Sequence, residues 1–474
     1  MLACPVHRSG VSLPRRRLPL TERVFAAGCL SGLLSLLGCT SNIDATPGSL
    51  AVLSGQETDT WTLEPTPERA VLELVGANRT TLATVTPPVT QISLGTGDPV
   101  ESSASFELTA FDANDRAVIR GTSVPYSIVT FESAFPSLFA ARTGGFSRAP
   151  GNLVFGYRHP LVEIVSHAYL LVAGGESTNS AGVAIDVYDM SNWVVAPKQS
   201  WLPRAPKSWA VAGSSLLVID DAGAIWLDLP TGQSSAATLP SGLDFSDLVG
   251  GDVILGAKNE RYIIGATRTS GTPSDRALRL DTDGTLRALT LSTPRLGAAA
   301  ANIDGQIVII GGSDTGAGAE VLNADQTGFK ELPYAADATQ GAALSKLTAD
   351  TAILVGGTDP SSGTRSPVRT LDLTCADSCS ATPLAHLDFD YDRARAFYLS
   401  DNRLLVAGES GDGQSHAFTL DKTIGFELTE QALREPRTEA SVVKAPNGQI
   451  GLIGGDSLSD RTPVTNLELF FPTD

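Results

Sequence analysis

Charge and long apolar runs are both in short supply in this chain. Only 18% of its 474 residues are charged and 6% are aromatic, which excludes coiled coils and long salt-bridged helices. After residue 38 no stretch reaches the roughly 18 consecutive apolar residues of a membrane-spanning helix, so the chain beyond that point is expected to be globular. No Gly-x-Ser-x-Gly elbow, His-Glu-x-x-His pair or Walker-type phosphate loop occurs. The histidines outside the leader, His159, His167, His386 and His416, are scattered. Neither a cofactor nor a metal is expected. Lysine is scarce as well, at seven against 27 arginines, a bias that a GC-rich genome produces without any functional demand.

What is present begins with an address. Arg8, Arg15, Arg16, Arg17 and Arg23 form a basic leader, followed by an apolar segment from Val24 to Leu37 that ends Leu36-Leu37-Gly38-Cys39. This ending resembles the lipobox of bacterial lipoprotein signal peptides. The resemblance implies a signal peptide over 1–38, lipid attachment at Cys39, and export with a lipid anchor; an ordinary signal peptide with an incidental cysteine is the other reading. Thr40 stands where Asp would be the usual inner-membrane retention signal, which favours the outer membrane, facing periplasm or surface. Cleavage before Cys39 removes five arginines and Glu22, leaving 29 basic and 51 acidic residues. So acidic a body repels nucleic acid and anionic headgroups, and its only expected membrane contact is the lipid. Beyond Cys39 only Cys375 and Cys379 remain, and their spacing in a turn-rich stretch predicts a small disulfide loop in an oxidising compartment.

Residues 39–49 read as a polar tether. From 50 to 135 apolar and polar residues alternate in short runs, as in Ser105-Phe106-Glu107-Leu108-Thr109-Ala110-Phe111, which predicts a small β-sandwich. An immunoglobulin-like topology suits the length, although no Cys…Trp…Cys signature accompanies it.

After that module, seven short aliphatic runs close on glycine or a turn-forming substitute. Aligned at residues 172, 218, 264, 310, 355, 406 and 453, they recur at intervals of 46, 46, 46, 45, 51 and 47 residues. A period of that length, with hairpin turns at Asp304-Gly305 and Asn447-Gly448, predicts four-stranded blades. Four runs end in a glycine pair: Gly174-Gly175, Gly311-Gly312, Gly356-Gly357 and Gly454-Gly455. Tyr188 and Trp193 follow the first of them. This pattern resembles the kelch repeat and implies an all-β chain with a seven-bladed kelch-like β-propeller over 137–474. The last run, Leu467 to Phe471, reads as the third strand of the seventh blade, so residues 137–146 are expected to supply the fourth and close the ring.

Several local matches to chemical motifs read as turns. Asp314-Thr315-Gly316 copies the aspartic-protease triplet only once, and Asp281-Thr282-Asp283-Gly284 lacks the acidic residue that closes a calcium loop. Asp388, Asp390 and Asp392 beside His386 read as a solvated loop entering the sixth blade, with metal coordination as the second reading. Arg158, Lys207, Arg295, Arg395 and Arg437 stand near the start of the innermost strand in five blades, where they are expected either to ring one mouth of the channel and attract an anionic ligand or to pair with acidic neighbours. The function expected is non-catalytic binding of a protein or glycan at the cell envelope through propeller loops. The alternative is a polysaccharide hydrolase or lyase using carboxylates on one face.

Overall fold

The computed structural model describes residues 48–94, 103–127, 136–177, 183–196, 199–200, 202–385, 391–399, 403–422 and 425–473. The leader, Cys39, all of the tether but its last two residues, His386, Asp388 and Asp390 lie outside the described residues, and of Asp392 only the backbone is described. The architecture is all-β: seven antiparallel blades built on four strands each, running from the channel outward. The innermost strands are Leu161–Val165, Ser208–Ala212, Asp252–Leu255, Ala299–Ile303, Ala343–Lys346, Tyr391–Tyr398 and Ser441–Lys444. Each touches the innermost strand of the next blade, and that of blade 7 touches that of blade 1. The chain is thus a closed seven-bladed β-propeller.

The aliphatic runs are the second strands. Flanked on both sides by neighbours in their own sheet and on both faces by adjacent blades, they are buried almost without exception, as in Gln306–Ile310 and Ile450–Ile453. That environment explains near-continuous apolar runs in place of alternation. The paired glycines that end them couple neighbouring blades. A Cβ on Gly311 would lie 2.5 Å from the carbonyl of Thr339 in the linker to the next blade, and one on Gly312 would lie 2.7 Å from that of Leu296 in its own linker. Both residues also hold positive φ, +80° and +75°. Glycine is required there twice over, by close approach and by conformation.

Ring closure differs from expectation in register. The strand that completes blade 7 is Gly145–Asn152, which pairs antiparallel with Asn466–Phe471. Ser137–Arg142, the greater part of the expected closing segment, instead joins the N-terminal sheet, antiparallel to Ala117–Thr122 and parallel to Ser49–Leu53. The alternation decides this. Leu138 and Ala140 enter the core of the N-terminal module, whereas Phe146 enters the core shared with blade 6. Among the described residues the strands of this module form one hydrogen-bonded sheet of eight, which extends past residue 135 to Arg142. Its core gathers Leu50 and Val52 at one end of the strand order with Leu72 and Phe106 at the other, so the sheet curls onto itself.

The first blade keeps its Tyr–Trp pair because the module packs there. Tyr188 Oη donates to Gly151 O at 3.1 Å, and Trp193 meets Phe139 edge-on at 5.3 Å. Tyr126 Oη and Ser137 Oγ both donate to Ser191 O, at 3.1 and 2.7 Å.

Cys375 and Cys379 form a disulfide in the turn between the third and fourth strands of blade 5. It holds Cys379 against blade 4, where Cys379 N donates to Pro333 O at 3.1 Å beside Tyr334. Replacing both cysteines by serine is expected to lower stability by about 2 kcal/mol, the loop-closure entropy for so short a ring. Urea midpoints of the oxidised protein, the reduced protein and the variant measure it; the last two should coincide.

Candidate functional site

Because adjacent strands are antiparallel, the linkers entering each blade and the loops between second and third strands emerge at one end. This end is the loop face. The opposite end carries the tight hairpins and the N-terminal module, which is tied there by Asn447 Nδ2 donating to Thr122 O at 2.9 Å. Small two-stranded extensions rise from the loop face at Tyr157–Arg158 with Glu176–Ser177, Thr358–Asp359 with Thr364–Arg365, and Arg437–Thr438 with Asp456–Ser457.

The five basic residues expected at this mouth divide into two groups. Arg295 and Arg437 are wholly buried. Arg295 Nη2 lies 2.9 Å from Glu320 Oε1 and its Nη1 donates to Gly311 O at 2.8 Å. Arg437 pairs with Glu468 and donates to Asn466 Oδ1 at 2.7 Å. Burial pulls the Arg437 guanidinium below its ordinary value, and Glu468 opposes the shift. These two arginines face the blade interior and belong to no ring around the mouth. Arg158, Lys207 and Arg395 do stand on the loop face, each beside a carboxylate. Arg158 pairs with Glu439 (3.2 Å) and Asp456, Lys207 lies 3.8 Å from Asp221, and Arg395 pairs with Asp252.

The buried pairs belong to a repeated staple that sequence reading missed. Glu320 accepts from the backbone N–H groups of Ser292 (2.7 Å) and Thr293 (3.3 Å) as well as from Arg295. Glu468 does the same with Arg434 N (2.8 Å), Glu435 N (3.0 Å) and Arg437. In blade 1 Asp186 takes Val154 N and Phe155 N at 2.9 and 3.0 Å, with Tyr157 in the arginine's place. Blade 5 reverses the charges: Arg369 on the third strand pairs with Asp337 in the linker at 2.8 Å. The available signal was an arginine followed 25 or 31 residues later by a glutamate.

Two positions depart from the repeat at the mouth itself. Among the described residues, the backbone two residues before the innermost strand is left-handed in five blades. Blades 3, 4 and 5 place glycine there, Gly250 (φ +77°), Gly297 (+66°) and Gly341 (+70°), whereas blades 1 and 7 place His159 (+44°) and Glu439 (+57°). A non-glycine residue in that region costs about 1–2 kcal/mol. Both sit in one network. His159 N donates to Glu439 O at 2.6 Å, and His159 Nε2 lies 2.8 Å from Glu409 Oε2 at the end of the second strand of blade 6.

The channel has a volume of about 1760 Å³ and opens on the loop face among glycines and alanines such as Gly251, Gly297, Ala298, Gly341 and Ala440. Two ion pairs reach across blades within it. Arg395 of blade 6 meets Asp252 of blade 3 at the loop mouth, and Arg261 of blade 3 reaches Glu163 on the innermost strand of blade 1 at 3.0 Å. Burial pushes the Glu163 carboxyl up from its ordinary range, with Arg261 offsetting part of the shift.

The match to a calcium loop is a turn, closed by Gly284 N donating to Asp281 O at 3.0 Å. Asp281 is held by Arg279 (2.7 Å) and Arg287 (3.0 Å), and Asp283 Oδ1 accepts from Thr285 N at 2.9 Å. Among the described residues no group of three or more His, Cys, Asp or Glu is placed to hold a metal ion. Among them too, no helix is long and apolar enough to cross a membrane.

No protein-family model matches the chain, and no curated protein matches it. Among solved structures it is similar to YjhT at 12% identity, over 67% of this chain and 95% of that one, with a TM-score of 0.38.

Proposed function

We propose that this chain is an exported cell-envelope lipoprotein, anchored in the outer membrane through Cys39, whose kelch-like propeller binds a protein or carbohydrate partner on its loop face without catalysing a reaction. Two features support the address: the leader ending Leu36-Leu37-Gly38-Cys39, and a disulfide, which persists in oxidising compartments. The observation that carries the binding reading is the mouth sector of blades 1, 6 and 7. There His159 and Glu439 hold a left-handed backbone that three other blades satisfy with glycine. Backbone strain kept against so available a remedy clusters at sites of function. The closed ring holds such residues rigidly, as recognition requires.

The polysaccharide hydrolase or lyase reading has one observation in its favour, the gathering of Glu409, Glu439 and Asp456 on this same face. Glu439 and Asp456 already hold Arg158, and Glu409 is engaged by His159 Nε2, which favours a fixed scaffold over proton transfer. A glycan array probed with the mature protein, followed by analysis of the bound glycans for cleavage products, separates the two. Binding without products is expected. The double variant His159→Gly, Glu439→Gly is expected to fold with an unchanged or higher Tm and to lose at least about tenfold in affinity, near 1.4 kcal/mol. Released products would establish the catalytic reading, and undiminished binding by the double variant would move the site elsewhere.

A further inference from the structure

The channel wall has the opposite charge balance from the molecule. The chain carries 34 basic and 52 acidic residues. Among the described residues, the channel is lined by six cations (Lys207, Arg261, Arg268, Lys346, Arg395 and Lys444) against three carboxylates, Glu163, Asp221 and Asp252. Three of the seven lysines in the sequence are among them. Charges beyond a Debye length of about 8 Å at physiological salt are screened, so inside the channel the local cations decide the potential, and the enclosing walls focus it.

Three of these cations line the loop side of the channel around blade 3. Lys207 comes from the neighbouring blade 2. Arg268 follows Thr267, whose Oγ1 accepts from Asp252 N at 2.7 Å, and it donates to the carbonyl of Ser246 at 2.8 Å. Arg395 crosses the channel from blade 6 to the Asp252 carboxylate. Its reach comes from the register shift between Asp392 and Arg395 in the innermost strand of that blade, since a bulge turns a side chain away from the direction the pleat would give it. Unlike the buried arginines of the staples, Arg395 remains 42% exposed and Asp252 27% exposed. An ion pair so wet contributes little to stability, and water already reaches both partners.

We infer that the loop mouth of the channel is an oxyanion-binding site in which Arg395, supported by Lys207 and Arg268, takes a carboxylate or sulfate group of the ligand in exchange for Asp252. Asp252 occupies the guanidinium when no ligand is bound, and a ligand oxyanion replaces one charge-assisted bond by another of the same kind. Loop-mouth binding is the premise taken from the proposed function; the charge of the ligand is what is added.

The test uses the mature protein and three oligosaccharide probes of equal length: one carrying uronic carboxylates, one carrying sulfate esters and one uncharged. Binding is measured calorimetrically at two salt concentrations. One or both charged probes are expected to bind, more weakly at the higher salt, and the uncharged probe is not. Arg395→Gln is expected to lose at least about tenfold in affinity, and Asp252→Asn to gain about tenfold, because it frees a guanidinium that is mostly occupied in the resting protein. Lys207→Gln, at an exposed position, should weaken binding without altering Tm. Unchanged or weaker binding by Asp252→Asn overturns the exchange, and equal binding of the uncharged probe overturns the oxyanion chemistry. So does a failure of both charged probes to bind. In those cases a partner still lost by His159→Gly, Glu439→Gly leaves the loop-face reading standing while the oxyanion site falls.

Discussion

Glu320→Gln is expected to lower the stability of the propeller by about 3–5 kcal/mol, because it leaves the Arg295 guanidinium buried without its counter-charge. The magnitude follows from complete burial of both side chains and from the number of bonds lost. Glu320 satisfies Arg295 and two consecutive backbone N–H groups near the end of blade 3's fourth strand at once. Denaturant midpoints measure the loss. Two comparisons give it meaning. The exposed pair of Lys346 with Asp304 should cost less than about 1 kcal/mol when broken. Replacing Arg295 and Glu320 together by Met and Leu should recover part of the loss, since an apolar pair of similar volume removes the unpaired charge. A loss from Glu320→Gln no larger than that of the surface pair would mean that the staple does not hold blades 3 and 4 together.

Phe146→Ala should have an effect of similar size, about 3–5 kcal/mol for a fully buried aromatic side chain. Its location distinguishes the two ways of closing the ring. Phe146 is 1% exposed, packs on Phe470 at 5.3 Å between ring centroids, and shares a core with Leu405, Ala407 and Leu452 of blades 6 and 7. Hydrogen exchange in the variant should therefore show lost protection in Asn466–Phe471 and the second strand of blade 6. Leu138→Ala, by contrast, should loosen the N-terminal sheet, whose core it occupies. Loss of protection in blade 7 on Leu138→Ala, with none on Phe146→Ala, would restore the closing strand to the earlier segment.

How much of this was legible in the sequence depended on distance along the chain. The disulfide was readable because Cys375 and Cys379 are four residues apart and turn residues surround them. The blade count was readable because every second strand meets the same surroundings, so its aliphatic run recurs with the blade. The closing segment was located correctly to within one strand, yet its register was not. Both Ser137–Arg142 and Gly145–Asn152 alternate well enough to be strands, and only the partners available on each side assign one to each sheet.

The candidate site was legible only in part, for a geometric reason. Reading five basic residues near the innermost strands was sound as to position along each blade, but not as to direction. Along extended backbone neighbouring side chains point opposite ways, so Arg295 and Arg437 turn into the blade while Lys207 and Arg395 turn to the channel. Sequence supplies no zero for that alternation. The side-chain pairs that shape the mouth, Arg395 with Asp252 and His159 with Glu409, are 143 and 250 residues apart, and no local pattern connects them.

The amino-acid sequence by itself determined a chain of seven repeated β units, glycine where neighbouring backbones nearly touch, and a disulfide between two close cysteines. Each depends on short-range chemistry: aliphatic residues that must be buried, left-handed backbone, and a small covalent loop. The tertiary structure alone decided which strand closes the ring, which arginines are sealed against glutamates, and which cations stand around the channel. Those outcomes depend on side chains brought together by closure of the ring, where burial and the nearest counter-charge, rather than residue type, set what each group can do.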